Sequence, residues 1–133
     1  MKVIICVDDG GGLMFNNRRQ SRDRAVVEDI LKLTDGKNLY VNQYSAKLFD
    51  GAANICVSDN PMKAAQSGDY CFVENISAAE YSDKIEEAIV YNWNRMYPSD
   101  FKADFDYKKM TLKDSVDFEG SSHSKITREV YVK

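Results

Sequence analysis

The sequence predicts an α/β fold: a mixed, mostly parallel sheet with flanking helices and an antiparallel hairpin at the carboxyl end. Three observations carry this. Residues 2–7 (Lys2, Val3, Ile4, Ile5, Cys6, Val7) form a near-continuous β-branched run, the pattern of a central strand covered on both faces. Short apolar runs then alternate with short helical patterns over the first two thirds of the chain, as in parallel strands joined by helices. From residue 107 onward two strand-like segments flank a Gly/Ser turn. With 133 residues the chain is expected to form one α/β domain over 1–133, able to bury roughly two thirds of its unfolded surface.

Taken in order, the first strand exits into Asp8-Asp9-Gly10-Gly11-Gly12, followed by an apolar step, Leu13-Met14-Phe15, and by Asn16-Asn17-Arg18-Arg19-Gln20. Ser21 is the expected N-cap of a first helix, in which Val26, Val27, Ile30 and Leu31 recur on one face until Asp35-Gly36 stops it. Residues 38–41 and 54–57 read as strands, and 44–49 as a short helix between them. Asn60-Pro61 opens another short helix to residue 65, since proline is tolerated in a first turn, and 70–74 is the next strand. Residues 78–97 fit both a helix and a strand; enrichment in Ile, Val, Tyr and Trp favours a helical turn to about residue 87 and a strand from Ile89 to Tyr97, ended by Pro98. After an aspartate-rich link, 107–118 and 125–132 read as the hairpin strands and 119–124 as their turn.

Composition narrows the function classes. Hydrophobic residues make up 44% and charged residues 29% of the chain, and no apolar run approaches the ~20 residues of a membrane span, so no membrane is expected. The net charge of -3 gives no reason to expect nucleic acid. Cys6, Cys56 and Cys71 are widely spaced in apolar runs, which reads as buried thiols in a reducing cytoplasm and leaves no zinc set. No targeting segment is visible.

Candidate ligand-binding residues gather near the amino end: Asp8, Gly10, Gly11, Gly12, Asn17, Arg18, Arg19, Arg22 and Asp23. Glycines before a helix suggest a phosphate cradle, but the spacing matches neither a dinucleotide nor a Walker fingerprint, and two aspartates precede them; a flexible loop is the plainer reading. Four of the six arginines fall within residues 18–24, on an otherwise acidic chain. They read either as a lattice with Asp8, Asp9, Asp23 and Glu28, or as a fork for an anionic ligand or an acidic partner face. His123, the sole histidine, lies in Gly-Ser-Ser-His-Ser and reads as a polar turn; a serine hydrolase would need a nucleophile within hydrogen-bond reach of its ring and an acid orienting it. The aspartates between residues 100 and 117 fit no calcium loop. Tyr91, Trp93 and Tyr97 read as core or interface residues.

This order of elements resembles a shortened dihydrofolate reductase. The resemblance is carried by Val7-Asp8 at the exit of the first strand, Asn17 before the helix, Leu33-Thr34-Asp35-Gly36-Lys37, Asn54-Ile55-Cys56-Val57-Ser58, Asp104-Phe105-Asp106, and the final strand 126–132. It implies a truncated reductase-like scaffold. Where that family has Leu-Pro-Trp, this chain reads Arg18-Arg19-Gln20; the substrate carboxylate falls near Val26, with Asp23 and Glu28 displaced from it; and the cofactor motif becomes Val41-Asn42-Gln43-Tyr44-Ser45. The resemblance therefore argues against the usual NADPH-dependent activity, and no cofactor is assigned. The chain also resembles a group of short bacterial proteins of unassigned function to which the name ribonuclease Z is sometimes attached; that chemistry needs a cluster of histidines around two zinc ions, which one histidine does not supply.

The leading functional reading is a non-catalytic or degenerate reductase-like domain that binds an anionic small molecule or protein partner beside the glycine loop and arginine cluster. An active reductase-like enzyme, with Asp23 or Glu28 holding a heterocycle, is the alternative. A structural homodimer built on an exposed edge strand is the third.

Overall fold

Alternate residues of the first strand feed two separate cores. In the computed structural model, which describes residues 1–133, β1 (Lys2–Val7) runs through the middle of a seven-stranded sheet. Val3, Ile5 and Val7 point to one face, and Ile4 and Cys6 to the other, because side chains alternate along a strand. Both faces are covered, which accounts for the unbroken apolar run.

The chain then departs from the expected path. β2 (Gly12–Phe15) and β3 (Arg18–Arg19) form a hairpin whose two-residue turn, Asn16-Asn17, has both residues at positive φ, 55° and 62°. Such turns match the twist of the strands they join, and asparagine tolerates the conformation best after glycine. With β8 (Phe101–Lys102) the hairpin makes a second, three-stranded sheet, so the aspartate-rich link supplies a strand there.

The first helix, α1 (Arg24–Leu33), is capped by Asp23, whose carboxylate accepts from the Ala25 amide; Ser21, the expected cap, lies two residues upstream. The remaining α-helices are single turns: α2 (Gln43–Ala46), continued by a 3-10 turn at Lys47–Phe49, and α3 (Pro61–Ala64), with Asn60 as cap. Between them run β4 (Leu39–Val41), β5 (Ile55–Val57) and β6 (Tyr70–Phe72). The doubtful segment resolves into a 3-10 helix (Ala79–Lys84) and β7 (Glu87–Asn92); the strand stops at Asn92, five residues short of the expected end at Tyr97, so Trp93 and Tyr97 lie outside the sheet. Residues 107–109 form a 3-10 turn, so the first hairpin strand, β9 (Thr111–Phe118), begins later than expected, and β10 (Ile126–Val132) closes the fold.

The main sheet has the order β5-β4-β6-β1-β7-β10-β9, parallel up to β7 and antiparallel thereafter. This is the mixed, mostly parallel sheet with an antiparallel carboxyl end that the sequence predicts. α1 packs Val26 and Ile30 onto the face holding Ile4, Phe72, Ile89 and Tyr91. None of the helices is long and apolar enough to cross a membrane.

One glycine of the loop after β1 is a packing residue. A Cβ on Gly12 would lie 2.5 Å from both Gln20 Nε2 and Ser99 Oγ, whereas one on Gly11 meets nothing. Gly12→Ala is therefore expected to lower stability by about 1–3 kcal/mol through overpacking, read as a fall in the urea midpoint with unchanged slope.

Candidate functional site

The carboxyl ends of β1 and β6 open toward α1, the position at which open α/β sheets take ligands. A narrow cleft with a free volume of about 20 Å³ lies there, lined by Cys6, Leu13, Arg19 to Asp23, Val26, Val27, Leu48, Phe49, Phe72, Glu74 and Trp93. Apolar side chains form most of its walls. One ion pair, Arg19–Glu74, and one carboxylate–imidazole pair, Asp23–His123, supply its polar groups.

The first pair joins Arg19 and Glu74. Arg19 Nε donates to Glu74 Oε2 at 2.8 Å and Nη2 to Oε1 at 3.1 Å, a forked geometry that holds both side chains flat. Ser45 Oγ also donates to Glu74 Oε1, at 2.7 Å, and the guanidinium stacks 4.5 Å above the Tyr44 ring. Burial opposes the charge on Arg19, but the bonds and field of Glu74 outweigh it, so the guanidinium holds its proton more tightly than usual. Gln20 spends its Nε2 on the Pro98 carbonyl, while its Oε1 is buried with no partner. Such an acceptor is costly unless something donates to it.

The second pair is Asp23 with His123. Asp23 is 2% exposed and its carboxylate accepts five hydrogen bonds: from Ala25 N, Ser121 N and Ser121 Oγ on Oδ1, and from Ser122 N and His123 Nδ1 on Oδ2, all within 2.8–2.9 Å. Burial alone would raise its pKa, but the bonds from His123, Ser121 and Ser122 hold it well below the usual carboxylate range. Because the carboxylate is ionised, His123 Nδ1 carries a proton, and in the neutral ring Nε2 is left as an acceptor. Facing Nε2 are Ser21 Oγ at 3.2 Å and Tyr97 Oη at 2.9 Å. The ring is 6% exposed and stacks on Trp93, with centroids 4.7 Å apart.

The expected residues thus separate. Arg19, Arg22 and Asp23 line the cleft. Asp8 turns into its own loop, accepting from the amides of Gly10, Gly12 and Tyr97, so Asp8 to Gly12 is a self-satisfied turn. Gly10 and Gly11 border a separate shallow depression with Lys102 and Lys108, and Asn17 borders another with Asp100. Arg18 is exposed on the hairpin. The arginine lattice forms only in part: Arg24 meets Glu28 at 3.8 Å on the surface, whereas neither Asp8 nor Asp9 pairs with Arg18 or Arg19. Cys6 also lines the cleft, but burial and the neighbouring Glu74 push its thiol far up, which makes it a poor nucleophile.

The sequence reading missed Glu74 and Gln20, and took His123 for a polar turn residue rather than part of the site. Glu74 lies two residues past β6, which ends at Phe72 rather than at the expected 74, and that charge after Tyr-Cys-Phe-Val was its one signal. His123 belongs to a turn, as expected, and Asp23 pins that turn by accepting from the Ser121 and Ser122 amides. Aromatic Trp93 and Tyr97 leave the sheet to enclose it.

Because Asp23 is depressed, its contribution to stability is complete above the ordinary carboxylate value of 3.8 and is lost as pH falls below it. Asp23→Asn breaks the pair with His123 and should cost about 3–5 kcal/mol at pH 7. Urea denaturation repeated from pH 7 down to pH 3 should show the parent losing part of that margin in the acid limb, and the variant following a flatter curve.

Neither family models nor curated protein sequences match the chain. Among solved structures it is similar to a dihydrofolate reductase from Enterococcus faecalis, in complex with NADP(H) and RAB-propyl, with a TM-score of 0.68. The match covers 98% of this chain and 94% of that one at 10% sequence identity. Nothing in these comparisons supports the ribonuclease label. The scaffold is dihydrofolate reductase-like, and at this identity the likeness extends to the fold.

Proposed function

We propose that the chain is a small-molecule-binding domain whose ligand enters the cleft between α1 and the ends of β1 and β6. The Arg19–Glu74 fork set among apolar walls carries this reading. A structural ion pair could be replaced by apolar residues at little cost, so a pair kept inside a cleft gains its use from what it holds. Phe49, Phe72 and Trp93 suit a flat apolar body, Gln20 Oε1 suits a ligand donor, and Arg22, exposed at the lip without a carboxylate partner, suits an anionic group. The anionic small molecule expected from the arginines is kept, but its place moves from the glycine loop to this cleft. The free thiols fit a reducing compartment such as the cytoplasm.

A reductase-like enzyme has less support. The carboxylate that would hold a heterocycle is not free at Asp23, where five donors fill it, and Glu28 is surface-exposed. Thermal shift with aromatic carboxylates, mononucleotides, NADPH and folate separates the readings. A cleft ligand at ~100 times its dissociation constant should add about 2.7 kcal/mol, a rise of several degrees. Arg22→Ala should weaken an anionic ligand by about tenfold or more, while Arg18→Ala should leave it unchanged; a shift with NADPH alone would favour the enzyme.

One observation favours self-association in addition. β9 is an edge strand with seven of its eight residues exposed, including Leu112 and Val116. Antiparallel pairing of two copies about Ser115 would set Lys113 against Asp117 and Leu112 against Phe118. A sizing column should then return twice the chain mass, and Lys113→Glu should restore the monomer.

A further inference from the structure

Ser21, His123 and Asp23 stand in the order and at the distances of a nucleophile, a base and the acid that orients it. Ser21 Oγ lies 3.2 Å from His123 Nε2, and His123 Nδ1 lies 2.9 Å from Asp23 Oδ2. We propose that Ser21 is a catalytic nucleophile activated by His123 and Asp23, and that the cleft hydrolyses small esters with an apolar or aromatic acyl group.

Four observations support the assignment. The base is pre-oriented: Asp23 fixes one ring nitrogen and Trp93 covers the ring face, so the imidazole does not need to be positioned at the moment of reaction. Asp23 remains charged through its five donors, as the orienting acid must. Ser21 anchors nothing else. Its hydroxyl meets only His123 Nε2 and, at 3.4 Å, Tyr97 Oη, while the loop 120–124 is already tied down by Asp23. Ser21 also lines the cleft, with the apolar surfaces of Val26, Val27 and Phe72 beside it for an acyl group. The amides of Ser21, Arg22 and Asp23, just ahead of α1, donate to no protein acceptor and are the candidates for stabilising an oxyanion.

The step is acyl transfer. Ser21 Oγ forms a bond to the ester carbonyl carbon as its proton passes to His123 Nε2; the imidazolium returns that proton to the departing alkoxide as the carbon–oxygen bond breaks. Water then attacks the acyl-serine, with the same ring taking and giving its proton, and a carboxylic acid leaves. Ester and water become acid and alcohol, and the enzyme is unchanged. Tyr97 Oη can donate to Nε2 or to Ser21 Oγ, so it competes for the base in the resting protein and supports the serine oxygen when Ser21 donates.

This inference rests on the cleft being a ligand site, and the test separates the two. The intact protein is treated with a fluorophosphonate and its mass measured, and hydrolysis of p-nitrophenyl butyrate is followed in parallel. One adduct mapping to Ser21 is expected, with hydrolysis reduced about 100-fold or more in Ser21→Ala and in His123→Gln. Ser21→Ala gives up only the two hydroxyl contacts, so it is the variant expected to keep its fold, confirmed by an unchanged melting profile. An adduct at Ser21 in a protein that shows no thermal shift with the anionic ligand panel would uphold the nucleophile and overturn the binding reading. No adduct, an adduct at another serine, or parent-like hydrolysis by Ser21→Ala would overturn the nucleophile while leaving ligand binding to stand on its own.

Discussion

A buried carboxylate without partners would be among the most costly groups in the fold, and Asp23 is buried almost completely. What makes it tolerable is a set of donors from both ends of the chain. Ala25 belongs to the helix that Asp23 starts, while Ser121, Ser122 and His123 arrive from a turn about a hundred residues later. Helix start, carboxyl-terminal turn and histidine are therefore parts of one electrostatic unit. Gly120 is a condition of it: a Cβ there would lie 2.6 Å from Asp23 Oδ2 and 2.7 Å from the His123 carbonyl oxygen.

The two carboxylates of the cleft are satisfied in different ways, and this divides their roles. Asp23 is saturated by five neutral or ring donors and directs its effect through His123. Glu74 is matched mainly by one guanidinium, which stacks on the Tyr44 ring, while the Tyr44 hydroxyl accepts from the Arg19 backbone amide. One side of the cleft thus presents a fixed base, and the other a charged fork. Phe49, packed edge-on to Phe72 at 5.1 Å, adds apolar wall to the same cleft.

Much of the scaffold was legible because its signals are local. The β-branched run of β1, the apolar face of α1, the Asn60-Pro61 helix start and the alternation of β10 each lie within a few residues. The β2–β3 hairpin was hidden because Asn16-Asn17 is a weaker turn signal than a pair containing glycine. Residues 89–97 misled because aromatic alternation persists past Asn92, although Trp93 and Tyr97 are used to enclose His123 rather than to continue the sheet. The site was less legible than the fold. Ser21 and Asp23 are both good helix caps, and nothing local tells which one caps and which one is free. The meeting of Asp23 with His123 depends on β10 docking against β7, a contact that no local pattern encodes.

That long reach also sets the order in which the molecule can be completed. Chain synthesis delivers Asp23 early and its donors last, and the hairpin that carries them joins the sheet through its contact with β7. Closing so distant a contact is slow relative to the local pairings of the first two thirds. Until residues 120–123 arrive, the carboxylate has only its own helix amide and water, and the helix start can remain hydrated. The Asp23–His123 pair is thus the last part of the site to form: a chain interrupted before the final hairpin already holds every residue that lines the cleft, and lacks only the donors that satisfy Asp23.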